Sequence, residues 1–173
     1  GLPATFFIAT GYLDGGRMWN DTVIESIRGT ANTRLELKYP HQPRDAKVIS
    51  VAIATVPERR AAIQLVLGQI KYLPKTDREA AARSIAEQCG TQLPDNLMMT
   101  SQQVIEMRHA GMLIGAHTVT HPILAKLGAG DVRHEISDSK HKLESLLGEE
   151  IRLFAYPNGK PNQDYQAKDV GII

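Results

Sequence analysis

His117 and His121 stand four residues apart in Ile114-Gly115-Ala116-His117-Thr118-Val119-Thr120-His121-Pro122, directly behind the apolar run Met112-Leu113-Ile114. Neutral imidazole is a common ligand for zinc and related divalent ions, so the pair could hold a metal. The alternative is two partly exposed histidines at a strand end, and the spacing alone does not separate these readings. The apolar run reads as the end of a buried strand, and Pro122 suits the first turn of whatever follows. Histidines at a strand's carboxyl end project into the region where α/β proteins place their chemistry.

The elements that must position the pair are legible around it. Thr100 with Gln103 three residues on forms a capping box, and Gly111 fits a helix exit, so a helix leads into the histidine strand. Residues 3–9, with Ala4-Thr5-Phe6-Phe7-Ile8, read as a second strand. Residues 131–147 place Val132, Ile136, Leu143 and Leu147 on one helical face, with Asp131 at the start. A strand over 152–156 follows, then the turn Pro157-Asn158-Gly159-Lys160-Pro161. Strand, helix and strand again predict an α/β fold with parallel strands.

Between these segments lies a block with its own apolar logic. Asp14-Gly15-Gly16 is a turn, and Asn20 or Asp21 can cap a helix carrying Val23, Ile24 and Ile27 inward. Trp19, just before it, packs on that helix as a staple or stacks on a sugar ring. Residues 33–39 and 47–54 alternate and pair as a hairpin across Pro40 and Pro43. Pro57 opens a helix with Ile63, Val66, Leu67 and Ile70 inward. Thr76 and Glu79 make another capping box, for a helix that buries Ala82, Ile85 and Cys89 and stops at Gly90. Residues 31–98 show no catalytic pattern and read as a hairpin-plus-helices insertion within one partial domain spanning 1–173.

Met99 to Leu124 resembles the second motif region of the polysaccharide deacetylases, the nodulation-deacetylase-like carbohydrate esterases of family four. There a helix leads to a strand ending in His-(Ser/Thr)-x-x-His-Pro. Ala4-Thr5-Phe6-Phe7-Ile8 is similar to the family's second barrel strand. Phe154-Ala155-Tyr156-Pro157-Asn158-Gly159 resembles its third motif, more usually Arg-x-Pro-(Tyr/Phe)-Gly. The three matches lie in the family's order and cover residues 1–30 and 99–173.

The resemblance implies part of an irregular (β/α) barrel and a hydrolase that removes N-acetyl groups from an amino-sugar polysaccharide or oligosaccharide. His117 and His121 would hold a divalent metal, most simply zinc. The backbone N–H of Asn158 would donate to the developing oxyanion, a role that survives a side-chain change. Tyr156 and Pro157 would border the substrate. Two departures stand beside these matches: Ala155 takes the place of an arginine that orients a catalytic carboxylate, and Asn158 that of the aromatic. The family's first motif, Thr-Phe-Asp-Asp-Gly, supplies the general base and third metal ligand, and Gly1 falls just after its position. The general-acid histidine would lie beyond Ile173. The resemblance thus implies an interior piece of a catalytic domain, inactive by itself, with open sheet edges that favour association. Asp14 and Asp21 are the only carboxylates near the first matched strand, and a turn and a helix start explain both. Thr118 and Thr120 either orient an imidazole or satisfy the turn backbone. Alternative functions are a non-catalytic glycan-binding or structural module, and an amidohydrolase acting on a small non-sugar amide.

Composition narrows the partners. Twenty basic against nineteen acidic residues leave a formal charge of +1, with no basic patch for nucleic acid. No run approaches the ~18 apolar residues of a membrane span. Cys89 is the only cysteine, which excludes an intramolecular disulfide and leaves the compartment open. The resemblance is compatible with the cell envelope or secretion. His41, His109, His134 and His141 read as surface histidines.

Overall fold

The computed structural model describes residues 3–37 and 48–172; His41, Pro40 and Pro43 lie outside the described residues. The elements run β1 (Thr5–Ile8), α1 (Trp19–Gly29), β2 (Arg34–Leu37), β3 (Ile49–Ala52) and α2 (Val56–Ile70). They continue with α3 (Lys75–Cys89), α4 (Ser101–His109), β4 (Leu113–Ala116), α5 (Ala129–Leu147) and the short α6 (Ala167–Val170). The chain divides into two compact units: Gly1–Gly16 with Asn96–Ile173, and Arg17–Asp95. The expected insertion falls largely in the second unit, which also takes in α1.

In the first unit β1 and β4 pair in parallel, with Thr5 opposite Leu113 and Ile8 opposite Ala116. Parallel strands need a long crossover, and α4 delivers the chain to β4. Its capping box is complete: Thr100 N–H donates to Gln103 Oε1 at 2.9 Å, and Gln103 N–H to Thr100 Oγ1 at 3.2 Å. Gly111, at φ +88°, lets the chain leave the helix. Ile8, Val104, Ile114, Leu143 and Ile151 form a buried cluster that joins the sheet to α4 and α5. Val132 and Ile136 of α5 close a second cluster with Leu124.

The strand expected over 152–156 reduces to one parallel bridge, between Ala116 and Phe154. Ala116 N–H donates to Leu153 O at 2.8 Å and Ala155 N–H to Ala116 O at 3.0 Å. The ladder stops there because β4 ends at Ala116 and Pro157, which has no N–H, turns the other chain away. The fold is mixed α/β, with the parallel pairing expected. The described residues make a parallel pair extended by a bridge, not a closed barrel. Among the described residues no helix is long and apolar enough to cross a membrane.

In the second unit β2 and β3 form the expected antiparallel pair, Arg34 opposite Ala52 and Leu37 opposite Ile49. Val23, Ile27, Leu35, Val66, Ile70 and Ile85 are among the residues that fill one core between this pair and α1, α2 and α3. Each such side chain contributes roughly 1.5–3 kcal/mol on burial. Two helix starts differ from the sequence reading. Helix α1 begins at Trp19 with Met18 before it, so Asn20 and Asp21 lie inside the first turn. There Asp21 faces the positive end of the helix dipole. Helix α3 begins at Lys75 behind Pro74, and no side chain caps it, so the Thr76–Glu79 box is not made. Proline fixes the extended residue before the helix without a side-chain bond. A capping box instead opens α2, where Thr55 N–H donates to Glu58 Oε2 at 2.8 Å.

Trp19 is half-buried against this core, and the Arg78 guanidinium carbon sits 5.3 Å from its ring centroid. That contact fits the packing role rather than an open sugar platform. Arg59 ties α2 to the end of α1: it donates to the carbonyls of Ile53 at 3.0 Å, Thr30 at 2.8 Å and Arg28. Arg59→Met leaves these oxygens without their charged donor and should cost roughly 2–3 kcal/mol. Arg28→Met removes an exposed ion pair to Glu25 and should cost about 0.5 kcal/mol or less. Urea midpoints of the two variants, compared at equal slope, check the difference.

Candidate metal centre

His117 follows β4 directly, its N–H donating to Ile8 O at 3.1 Å. Its Nδ1 lies 2.7 Å from the carbonyl oxygen of Ala155. A carbonyl only accepts, so Nδ1 carries the proton and Nε2 keeps a lone pair. Burial pushes the His117 pKa down, against the opposing pull of the Ala155 carbonyl, which favours the neutral form that binds metal. The His117 and His121 ring centroids are 4.7 Å apart at an interplanar angle of 67°. Two imidazoles on one tetrahedral ion, at Zn–N of about 2.0–2.1 Å, have centroids about 5 Å apart. The observed separation is close to that value. Among the described residues no group of three or more His, Cys, Asp and Glu is placed to hold one.

The loop between the histidines is strained and heavily bonded. Thr118 and His121 adopt left-handed backbone, at φ 65° and 53°. Each costs roughly 1–2 kcal/mol, more for the β-branched threonine. Thr118 is fully buried; its Oγ1 donates to His117 O and accepts from His121 N–H at 3.0 Å. On the carbonyl side, Thr10 N–H donates to Thr118 O at 3.2 Å and Gly11 N–H to Val119 O at 2.8 Å. Tyr12 Oη donates to Thr120 O at 3.0 Å. On the amide side, Val119 N–H and Thr120 N–H both donate to Glu135 Oε2 at 2.8 Å, and Thr120 Oγ1 donates to Oε1.

The Thr118 hydroxyl thus satisfies the turn backbone, the second of the two roles open to it from sequence, whereas the Thr120 hydroxyl bonds Glu135, a role neither reading named. Sequence reasoning missed Glu135, the Ala155 carbonyl and Gly11. An acid three residues after Val132 falls near the apolar side of α5, but that spacing does not say what Glu135 bonds. A main-chain carbonyl carries no sequence signal.

The remaining candidates divide. Asp14 accepts from Ser101 N–H at 2.7 Å and from Ser101 Oγ, so it serves the start of α4. Asp21 belongs to the second unit, where burial raises its carboxyl pKa. Asn158 is exposed in left-handed backbone at φ 65°, and among the described residues nothing accepts from its N–H. The Tyr156 ring stacks on Tyr165 with centroids 4.0 Å apart and meets Phe154 edge-on. Its hydroxyl is buried, and Pro157 is buried beside it. His109, His134 and His141 are exposed, as expected.

A Cβ on Gly11 would lie 2.8 Å from Val119 O and 3.0 Å from Val119 Cγ1. Gly11→Ala should therefore displace the histidine loop and destabilise the fold by roughly 1–3 kcal/mol, read by thermal melting. The Ser101 bonds hold the Asp14 pKa below its ordinary aspartate value. Its contribution is then present above about pH 4 and lost as pH falls through the lowered folded value. Asp14→Asn should be the less stable protein at neutral pH and should converge with the unaltered one in acid, followed by melting across pH.

The sequence model of the polysaccharide deacetylase family matches residues 70–172, more than half of the chain. Among solved structures, the chain is similar to the Streptococcus pyogenes deacetylase PplD in complex with acetate, at 25% identity and a TM-score of 0.41. The likeness covers 54% of this chain and 44% of that one, so the chain spans less than half of that enzyme. No curated protein matches. With a family match over most of its length and the histidine pair at the end of β4, the chain belongs to the polysaccharide deacetylase family.

Proposed function

We propose that this chain contributes the metal centre of a hydrolase that removes N-acetyl groups from an amino-sugar polysaccharide. The observation that carries the reading is the His117–His121 pair, with one imidazole fixed in the tautomer that leaves Nε2 open. A divalent metal, most simply zinc, would supply Lewis acidity there, polarising an amide carbonyl and making water acidic near neutrality. His117 Nε2 and the His121 ring would hold it. A further protein ligand and the proton-transfer groups would come from outside the described residues.

The chain's own groups do the positioning. Ala155 O fixes the tautomer and ring plane of His117, as carbonyl partners of metal-binding histidines do. The Asn158 N–H, from an exposed residue, would donate to the oxygen that gains charge as the amide is attacked. Tyr156 and Pro157, which precede that residue, would border the substrate. The same metal and oxyanion logic would serve a small non-sugar amide, and a substrate panel separates the two. Ala155 in place of arginine favours, as the second reading, a glycan-binding module that keeps its metal without turnover.

Replacing both histidines by alanine should abolish zinc uptake and deacetylation of N-acetylglucosamine oligomers together. Zinc measured by inductively coupled plasma spectrometry at undiminished stoichiometry in that double variant would refute the assignment. Full zinc without acetate release in the unaltered protein would favour the binding module.

A further inference from the structure

Glu135 stands apart from the other charged groups of α5. Arg133, His134, Lys140 and His141 either face solvent or line a groove of about 290 Å³ with Arg152. Glu135 turns instead to the histidine loop and is half-buried there. Two successive N–H groups, of Val119 and Thr120, converge on one of its oxygens at 2.8 Å each. Consecutive amides following a left-handed residue make a concavity suited to an anion, and here the anion is a side chain on a rigid 19-residue helix. The other oxygen takes Thr120 Oγ1.

We propose that Glu135 is a positioning residue of the metal centre, its carboxylate setting the separation of the two imidazoles by pinning the backbone between them. This rests on the metal reading above. Thr118 and His121 hold left-handed conformations that an unrestrained chain leaves. The direction in which the His121 ring leaves the backbone depends on both. Carbonyl partners alone come from the segment Thr10–Tyr12, on one side of the loop. Glu135 supplies the restraint on the amide side, and without it Val119 and Thr120 would turn to water and the rings would drift apart.

The test uses the whole protein, with Co²⁺ uptake followed by its visible absorption and stability followed by thermal melting. Glu135→Ala should weaken Co²⁺ binding by about 10- to 100-fold. Glu135→Gln, which keeps an acceptor oxygen for the two amides, should recover most of that loss. Glu144→Ala is the control: Glu144 lies on the same helix and accepts from Ile151 N–H at 3.1 Å, away from the histidine loop. It should lower the melting temperature comparably and leave Co²⁺ affinity unchanged. Should Glu135→Ala fail to fold, Thr120→Val removes only the hydroxyl bond and should still weaken Co²⁺ binding several-fold. Unchanged affinity in a folded Glu135 variant, or in Thr120→Val where that variant decides, would overturn the proposal. So would an equal loss in Glu144→Ala, which would make the effect one of general stability. Absence of Co²⁺ uptake by the unaltered protein would bring down the metal reading and this inference together, whereas uptake lost only in the double histidine variant would leave the first standing and refute the second.

Discussion

The histidine loop cannot hold its conformation by local preference. Thr118 and His121 both carry left-handed backbone, and a buried β-branched residue there is disfavoured on its own. The surrounding structure outweighs that cost by bonding the loop from three directions: Ile8 and Thr10–Tyr12, Glu135 on α5, and Thr118's own hydroxyl. These partners are fixed only because β1 pairs with β4 and α5 packs across them. The ring geometry at His117 and His121 is thus a readout of the whole first unit. Gly11 shows how tight that arrangement is, since one methyl group would meet a carbonyl oxygen.

Local signals in the sequence translated well where short-range chemistry decides. The Thr100–Gln103 capping box, the Gly111 exit and the amphipathic stripe of α5 all appear in the structure. The parallel pairing and the hairpin of β2 and β3 follow the apolar runs. Errors arose where two local signals compete within a few residues. Asn20 and Asp21 can cap a helix, yet α1 starts two or three residues earlier, with Asp21 serving the dipole instead. Thr76 and Glu79 have capping-box spacing, but Pro74 already sets the start of α3. The Thr55–Glu58 box had the same spacing and passed unnoticed beside Pro57.

The place of the histidines was legible, because the apolar run ahead of them marks a strand that ends where they begin. Their supports were not. Ala155 acts through its carbonyl, so the side chain that departs from the family motif says nothing about the bond it makes to His117. Glu135 looks like one more charge on a charged helix until α5 is packed against β4. Long-range contacts of this kind exist in three dimensions and leave at most a faint trace in spacing.

The division of the chain into two units has an entropic side. Tyr12 and Thr120, bonded to each other, are 108 residues apart, and most of the intervening chain belongs to the second unit. That unit leaves and returns next to the bond from Asp14 N–H to Met99 O, so the two crossing points are already neighbours in the first unit. Closing a loop costs only about 0.6 kcal/mol for each doubling of its length. A roughly fourfold longer loop therefore burdens the histidine site by about 1 kcal/mol in equilibrium terms. The heavier burden is temporal. The residues that hold His117 and His121 come from both sides of the excursion, so during synthesis the site has to wait for α5 while β1 stands without its partner.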